Sequence, residues 1–187
     1  LEKAKSLTNQ MLDLFWDDEN AGFFFYGEDN EELLIRPKEI YDGALPSGNS
    51  VATLQMLRLA RLTGEYHLEE KVQDIFTAFG DDVIHYPMGH TYMLMAFITT
   101  QMKMKEVVVL GNTDSKNKVV SHLQKTFHPQ LTYLVNKDFA SFKGIADFAE
   151  SYSMVDEQST YYICENFICH RPVTNEDEAI ELIQKGQ

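Results

Sequence analysis

At Lys105 the spacing of apolar residues changes from a helical period to a β-branched run, and that change limits the fold more than any other feature. Upstream, apolar residues recur at steps of three and four: Leu1, Ala4, Leu7, Met11, Leu14 and Phe15, then Val51, Leu54, Leu57, Leu59 and Leu62, then Leu68, Val72, Ile75, Phe76 and Phe79. This is the period of helices that bury one face. The second of these runs has Ser47 or Asn49 as a cap and stops at Thr63-Gly64; the third stops at Gly80. Together they predict an antiparallel helical hairpin, because glycine takes the left-handed conformation that ends a helix. Thr91 to Ile98 is apolar almost all round, which predicts an interior helix. Downstream of Lys105 the β-branched run Val107-Val-Val-Leu110 ends at Gly111-Asn112, a helical pattern carries Val119, Val120, Leu123 and Phe127, and Leu131 to Val135 follows. That order predicts a βαβ unit with a right-handed crossover. A further strand near Tyr161 and a last helix, capped by Thr174 and running through Ile183, complete a small α/β unit.

Composition removes several classes of function. With 16 basic and 29 acidic residues the net charge is -13, which repels phosphate backbones and anionic membranes, so no nucleic acid and no membrane is expected as a partner. No apolar run reaches the roughly 20 residues of a membrane-spanning helix, and no basic-then-apolar leader is visible at the start. A soluble, cytoplasmic protein is the expectation. The first helical pattern has no capping residue before it and reads as a helix whose partners lie upstream. The two cysteines, Cys164 and Cys169, fall in a stretch that reads as one strand, Tyr161 to Cys169. Residues five apart on a strand face opposite sides, so ordinary reduced thiols are expected, with no metal and no cofactor.

Three stretches carry side chains suited to chemistry. Phe15-Trp16-Asp17-Asp18-Glu19, followed by Gly22-Phe-Phe-Phe-Tyr-Gly27 and the acidic Glu28 to Glu32, combines rings with carboxylates. That suits a sugar site, in which rings stack on sugar faces and carboxylates bind hydroxyls or move protons, but these residues alone favour a solvated acidic turn next to aromatics buried in a hairpin. Tyr41-Asp-Gly-Ala-Leu-Pro-Ser-Gly-Asn-Ser50 leads into a helix N-terminus with Asp42, Ser47, Asn49 and Ser50 as hydrogen-bonding groups. More polar residues stand there than one cap uses. His85, Tyr86, His90 and Tyr92 bracket the start of the apolar helix, where a histidine is either structural or an acid–base group. Gly111-Asn-Thr-Asp-Ser has one glycine where the dinucleotide fingerprint needs three, and reads as a connecting turn.

The motifs Arg36-Pro-Lys-Glu-Ile-Tyr-Asp-Gly-Ala-Leu-Pro-Ser-Gly-Asn-Ser-Val-Ala52, Leu57-Arg-Leu-Ala-Arg-Leu-Thr-Gly64 and Tyr162-Ile-Cys-Glu-Asn-Phe-Ile-Cys169 with Pro172-Val-Thr174 resemble the YyaL-like, spermatogenesis-associated family of thioredoxin-domain-containing proteins. The resemblance implies a longer protein with an upstream thioredoxin-like domain and an α/α toroid similar to the epimerase and six-hairpin-glycosidase folds. On that basis the chain is expected to be mainly α: residues 1–104 as the last helices of an incomplete toroid built of helical hairpins, and residues 105–187 as a small C-terminal α/β appendage. The expected partners are the upstream thioredoxin-like and toroid segments of the same protein, a carbohydrate, and a second copy through self-association of uncovered helix faces. In such rings the pocket is lined by loops and helix N-termini, which places Asp42 and His90 as candidate catalytic residues. Trp16, Asp17, Glu19, Tyr41, Asn49 and Tyr86 are candidate substrate-binding residues. The implied function is part of a carbohydrate-binding or sugar-processing pocket; the alternative is a non-catalytic interaction or redox-accessory module. Fold alone does not decide between them.

Overall fold

A computed structural model of the chain describes residues 1–30, 35–114 and 116–185; Glu31 and Glu32 of the acidic stretch and Ser115 of the Gly111 turn lie outside the described residues. The chain divides into two compact units, one formed by Leu1–Ala60 with Glu65–Ile98 and the other by Arg61–Gly64 with Thr99–Gln187.

The first unit is helical: α1 (Glu2–Phe15), most of α2 (Gly48–Thr63), α3 (Tyr66–His85) and the first turns of α4 (Thr91–Gln101). Helix α2 starts where Ser47 Oγ accepts from Ser50 N at 3.1 Å, and Gly64, at φ +81°, follows its end. Leu68, Val72 and Ile75 of α3 are wholly buried against Met56, Leu57 and Ala60 of α2 and Met93 of α4 in one core, each contributing about 1.5–3 kcal/mol. Gly80 does not stop α3, which runs on to His85. A mid-helix glycine costs only about 1 kcal/mol, and Val83 beyond it still packs on the core. Helix α4 is not buried all round: Met93 and Ala96 are interior while Met95, Phe97 and Ile98 are about half exposed. An apolar groove of about 170 Å3 lies between α3 and α4, with Phe76, Phe79, Ile84 and Phe97 on its walls.

The second unit is built on a four-stranded sheet in the order β2-β1-β3-β4, from β1 (Lys105–Leu110), β2 (Leu131–Asn136), β3 (Thr160–Glu165) and β4 (Ile168–Cys169). β1 and β2 run parallel with α5 (Lys118–Lys125) between them in sequence; β3 is antiparallel to β1 and to β4. Every residue of β1 is buried. Val107 and Val109 pack with α5 and α6 (Glu176–Gln184), while Val108 and Leu110 pack with Phe139, Phe142 and Tyr162 on the opposite face. Asn117 caps α5, accepting from Val119 N and Val120 N, and Asn175 rather than Thr174 caps α6. At the other end of α6, the buried Lys105 ammonium donates to the carbonyls of Leu182 and Ile183, both at 2.9 Å, and of Lys185. Burial pulls this ammonium below the usual lysine value.

Two expectations are overturned. The chain is not a mainly α, incomplete toroid: beside six α-helices the described residues form a mixed sheet, making an α/β fold. The central strand of this sheet has a core on each face. Nor is Tyr161 to Cys169 one strand. The backbone reverses at Asn166 and Phe167, with φ of 50° and 62°, the left-handed pair that a two-residue hairpin turn requires. Cys164 and Cys169 therefore face each other across the β3–β4 pair and form a disulfide, in place of the expected reduced thiols.

Gly111, at φ +113°, closes β1 where an added Cβ would lie 2.9 Å from Ser159 Cα. Gly111→Ala is expected to lower the unfolding free energy by about 1–3 kcal/mol in urea titration. Gly48→Ala, whose Cβ would meet nothing within 4 Å, should be nearly neutral in the same assay.

Candidate functional site

The Tyr41–Ser50 stretch is organised by one carboxylate. Asp42 Oδ1 accepts from Ser47 N at 2.9 Å, and Oδ2 accepts from Tyr92 N at 2.7 Å and Met93 N at 3.2 Å. The last two are orphan donors in the first turn of α4, so a residue 50 positions away supplies the cap that the helix lacks locally. The Asp42 backbone adds a bond from its N–H to Gly89 O at 2.7 Å. Polar groups in excess of one cap thus serve two helices at once: Ser47 caps α2 and Asp42 caps α4.

Above this clamp stand Tyr41 and Tyr86, each about half exposed, with parallel rings whose planes differ by 4° and whose centroids are 6.5 Å apart. His90 meets both edge-on. Gly89 lets the rings approach the backbone, because a Cβ there would come within 2.5 Å of Tyr86 and 3.0 Å of Tyr41. His90 is buried, and its Nδ1 lies 2.8 Å from Ile40 O. A carbonyl partner makes Nδ1 the donor, so in the neutral ring the lone pair is on Nε2.

Asn49, also buried, ties together two segments that precede it, the hairpin closed by the isolated antiparallel Trp16–Phe23 bridge and the stretch at Glu39: Oδ1 accepts from Phe23 N at 2.7 Å, and Nδ2 donates to Phe23 O and Glu39 O, both at 2.9 Å. Phe23 in turn bridges Trp16, ring edge to ring face, at 5.1 Å. Trp16 is buried, with the Lys71 ammonium 4.2 Å from its ring. Asp17 is buried in the turn that joins them: Oδ1 accepts from Glu19 N and Asn20 N, and Oδ2 takes the Lys38 ammonium at 2.6 Å. The Lys38 hydrogen bond outweighs burial and holds the Asp17 carboxyl down at about 2. Glu19 is exposed.

Of the residues singled out in the sequence, Tyr41, Asp42, Tyr86 and His90 therefore come together, whereas Trp16, Asp17 and Asn49 form the packed interior of the neighbouring hairpin. Of the rings and carboxylates in that stretch, Trp16, Asp17 and Phe23 are turned inward, whereas Asp18, Glu19, Phe25, Tyr26, Glu28 and Asp29 face solvent. The Gly111 turn is a connection: the Asn117 side chain already occupies the first N–H groups of α5. Among the described residues no group of three or more histidine, cysteine or acidic side chains could hold a metal. The sequence reading missed the sulfur site of the second unit and the buried pair beside it, Arg61 and Glu106, 3.4 Å apart. The signal that could have found the hairpin is Asn166, since asparagine tolerates positive φ at the first position of such a turn.

Two outcomes follow from the clamp and the turn. Asp42→Ala strands three backbone donors and is expected to cost about 2–4 kcal/mol in urea unfolding, with Asp42→Asn recovering part through its remaining oxygen. The Asp17 carboxyl is depressed from 3.8 to about 2, so its stabilisation is present above about pH 4 and lost as pH falls toward 2. The difference in Tm between the native chain and Asp17→Asn should accordingly shrink from pH 6 to pH 2; a constant difference would contradict this role.

No protein-family model and no solved structure matches the chain. Curated proteins do. It is 30% identical over 188 residues to spermatogenesis-associated protein 20 of Homo sapiens, covering 98% of this chain, and 30% identical over 190 residues to the protein of that name in Rattus norvegicus, covering 99%. An uncharacterized protein of Caenorhabditis elegans is 26% identical over 188 residues. These matches take in 24% or 25% of the relatives, so the chain spans about a quarter of the length of the curated proteins it matches. Over nearly its whole length the chain is similar to one part of the longer spermatogenesis-associated proteins 20.

Proposed function

We propose that the Tyr41–Ser50 loop, with Tyr86 and His90, forms one wall of a site for sugars or similar polyhydroxylated ligands, within the C-terminal part of a longer protein. The observation that carries this reading is the Tyr41–Tyr86 pair: two parallel, half-exposed rings held in place by buried bonds. Such rings offer flat apolar faces to the C–H face of a sugar, and hydroxyls to its rim. The bonds of Asp42, Asn49 and His90 to the backbone support preorganisation, which lowers the cost of ordering a site on binding.

In this reading the two candidate catalytic residues divide their work. His90 keeps a lone pair on Nε2 for proton transfer, while both oxygens of Asp42 accept backbone N–H groups and position the loop. Trp16, Asp17 and Asn49 hold the hairpin behind it, and the exposed Glu19 supplies a carboxylate to ligand or solvent. The α3–α4 groove, with Ile84 and Phe97 exposed along it, supports cover by helical segments of the longer protein.

Isothermal titration against a panel of mono- and disaccharides tests the site. Binding should be detected, and Tyr41→Ala and Tyr86→Ala should each weaken it about tenfold, the worth of one stacked ring. Absence of heat with every sugar would refute the reading.

A further inference from the structure

We propose that the Cys164–Cys169 disulfide is a redox site, which exchanges with a dithiol through the Cys169 sulfur and re-forms without unfolding of the chain. It is independent of the sugar reading and lies in the second unit.

The two sulfurs differ in access. Cys164 is wholly buried on β3, whereas Cys169 is exposed on the two-residue edge strand β4. A nucleophile from solvent therefore meets Cys169 first. The pair closes a loop with a sequence separation of only 5, the kind of cross-link that restrains an unfolded chain least. A structural staple is poorly placed there.

The hairpin is held by bonds that do not involve sulfur. Phe167 N donates to Glu106 Oε2 at 2.9 Å, Arg61 Nη1 donates to Asn166 Oδ1 at 3.1 Å, and Asn166 N donates to Met104 O at 3.1 Å. The Arg61 guanidinium also lies 5.4 Å from the centre of the Phe167 ring. With the S–S bond open, these contacts keep the cysteines opposite each other, so closure is intramolecular and fast.

A donor stands beside both sulfurs. The Tyr152 hydroxyl is 2.8 Å from Cys169 Sγ and 3.5 Å from Cys164 Sγ. Its ring is stacked on Tyr162 at 3.9 Å, and the Tyr162 hydroxyl is fixed by Ser153 N and Ser153 O. Burial pushes the Tyr152 hydroxyl up from its ordinary value, so at neutral pH it keeps its proton and can donate to a thiolate. That donor matters most at Cys164, whose partner across β1 is the buried Glu106 carboxylate, itself countered by Arg61.

One thiolate of the dithiol attacks Cys169 Sγ; the new S–S bond forms as the Cys164–Cys169 bond breaks. Cys164 Sγ leaves with the electron pair, accepts the Tyr152 hydrogen bond and is protonated from solvent. The second thiolate of the dithiol attacks its own sulfur in the mixed disulfide, releasing Cys169 as a thiolate that takes up a proton. Two electrons and two protons pass to the protein, and the dithiol leaves as a disulfide.

The test uses the whole chain, equilibrated in mixtures of reduced and oxidised dithiothreitol, then acid-quenched and alkylated for mass measurement, with circular dichroism in parallel. The expected result is a reversible transition to two alkyl adducts with an unchanged far-ultraviolet spectrum. Cys164→Ser should then form a mixed disulfide with oxidised glutathione through Cys169 at least about tenfold faster than Cys169→Ser does through Cys164, and Tyr152→Phe should slow reduction of the intact pair about tenfold. A disulfide that excess dithiothreitol opens only as the chain unfolds would overturn the proposal. Equal rates in the two single-cysteine chains would overturn the assignment of Cys169 as the entry point, and an unchanged rate in Tyr152→Phe would overturn the part given to its hydroxyl.

Discussion

The ends of a helix carry N–H and C=O groups that the helix itself cannot satisfy, and in this protein that requirement ties distant parts of the chain together. Helix α4 receives the Asp42 carboxylate from a loop 50 residues earlier. The backbone at Phe23, beside its bridge to Trp16, receives Asn49 from the first turn of α2. Helix α6 receives Asn175 at one end and the Lys105 ammonium, from the central strand, at the other. Each of these bonds is worth about 1–3 kcal/mol when its loss leaves a buried partner. They account for two of the polar residues in the interior, Asn49 and Lys105, at 2% and 3% exposure.

The same economy shapes the candidate site. A loop that must cap α4 with Asp42 and expose Tyr41 one residue earlier fixes the ring in place through the cap. Gly89 contributes by leaving out a side chain. Asp17, Asp42, Asn49 and His90 are occupied in holding the backbone, and the two tyrosine rings and Glu19 are left facing solvent. In the second unit the division is similar: Glu106 and Arg61 are spent on the hairpin tip, and the exposed group is a sulfur.

Local features were readable. Val51 to Leu62 with Ser47 before and Gly64 after becomes α2, and the strand–helix–strand order from Val107 to Val135 becomes the parallel β1–β2 pair, because in both cases neighbouring residues carry the determinants. Features set by distant partners were not. Gly80 is passed because α3 gains more from burying residues on both sides of it than the glycine costs. The turn at Asn166–Phe167 was hidden because phenylalanine seldom takes a positive φ, and here Glu106 and Arg61, more than 60 and 100 residues away, hold it there. Of the site, the loop and its tyrosines were legible as a cluster, but that Asp42 serves α4 depends on a contact across 50 residues that no local pattern records.

Lys105 has a consequence for how the second unit comes apart. Its ammonium, from the first residue of the central strand, is enclosed by the last carbonyls of α6. If α6 frayed alone, the ammonium would lose its three carbonyl acceptors and keep only the Glu165 carboxylate, 3.8 Å away, while Ala179 and Ile183 left the sheet core. Fraying from the end is therefore opposed, and helix and sheet open together as one cooperative element, although the helix is only 9 residues long and follows every strand in the chain.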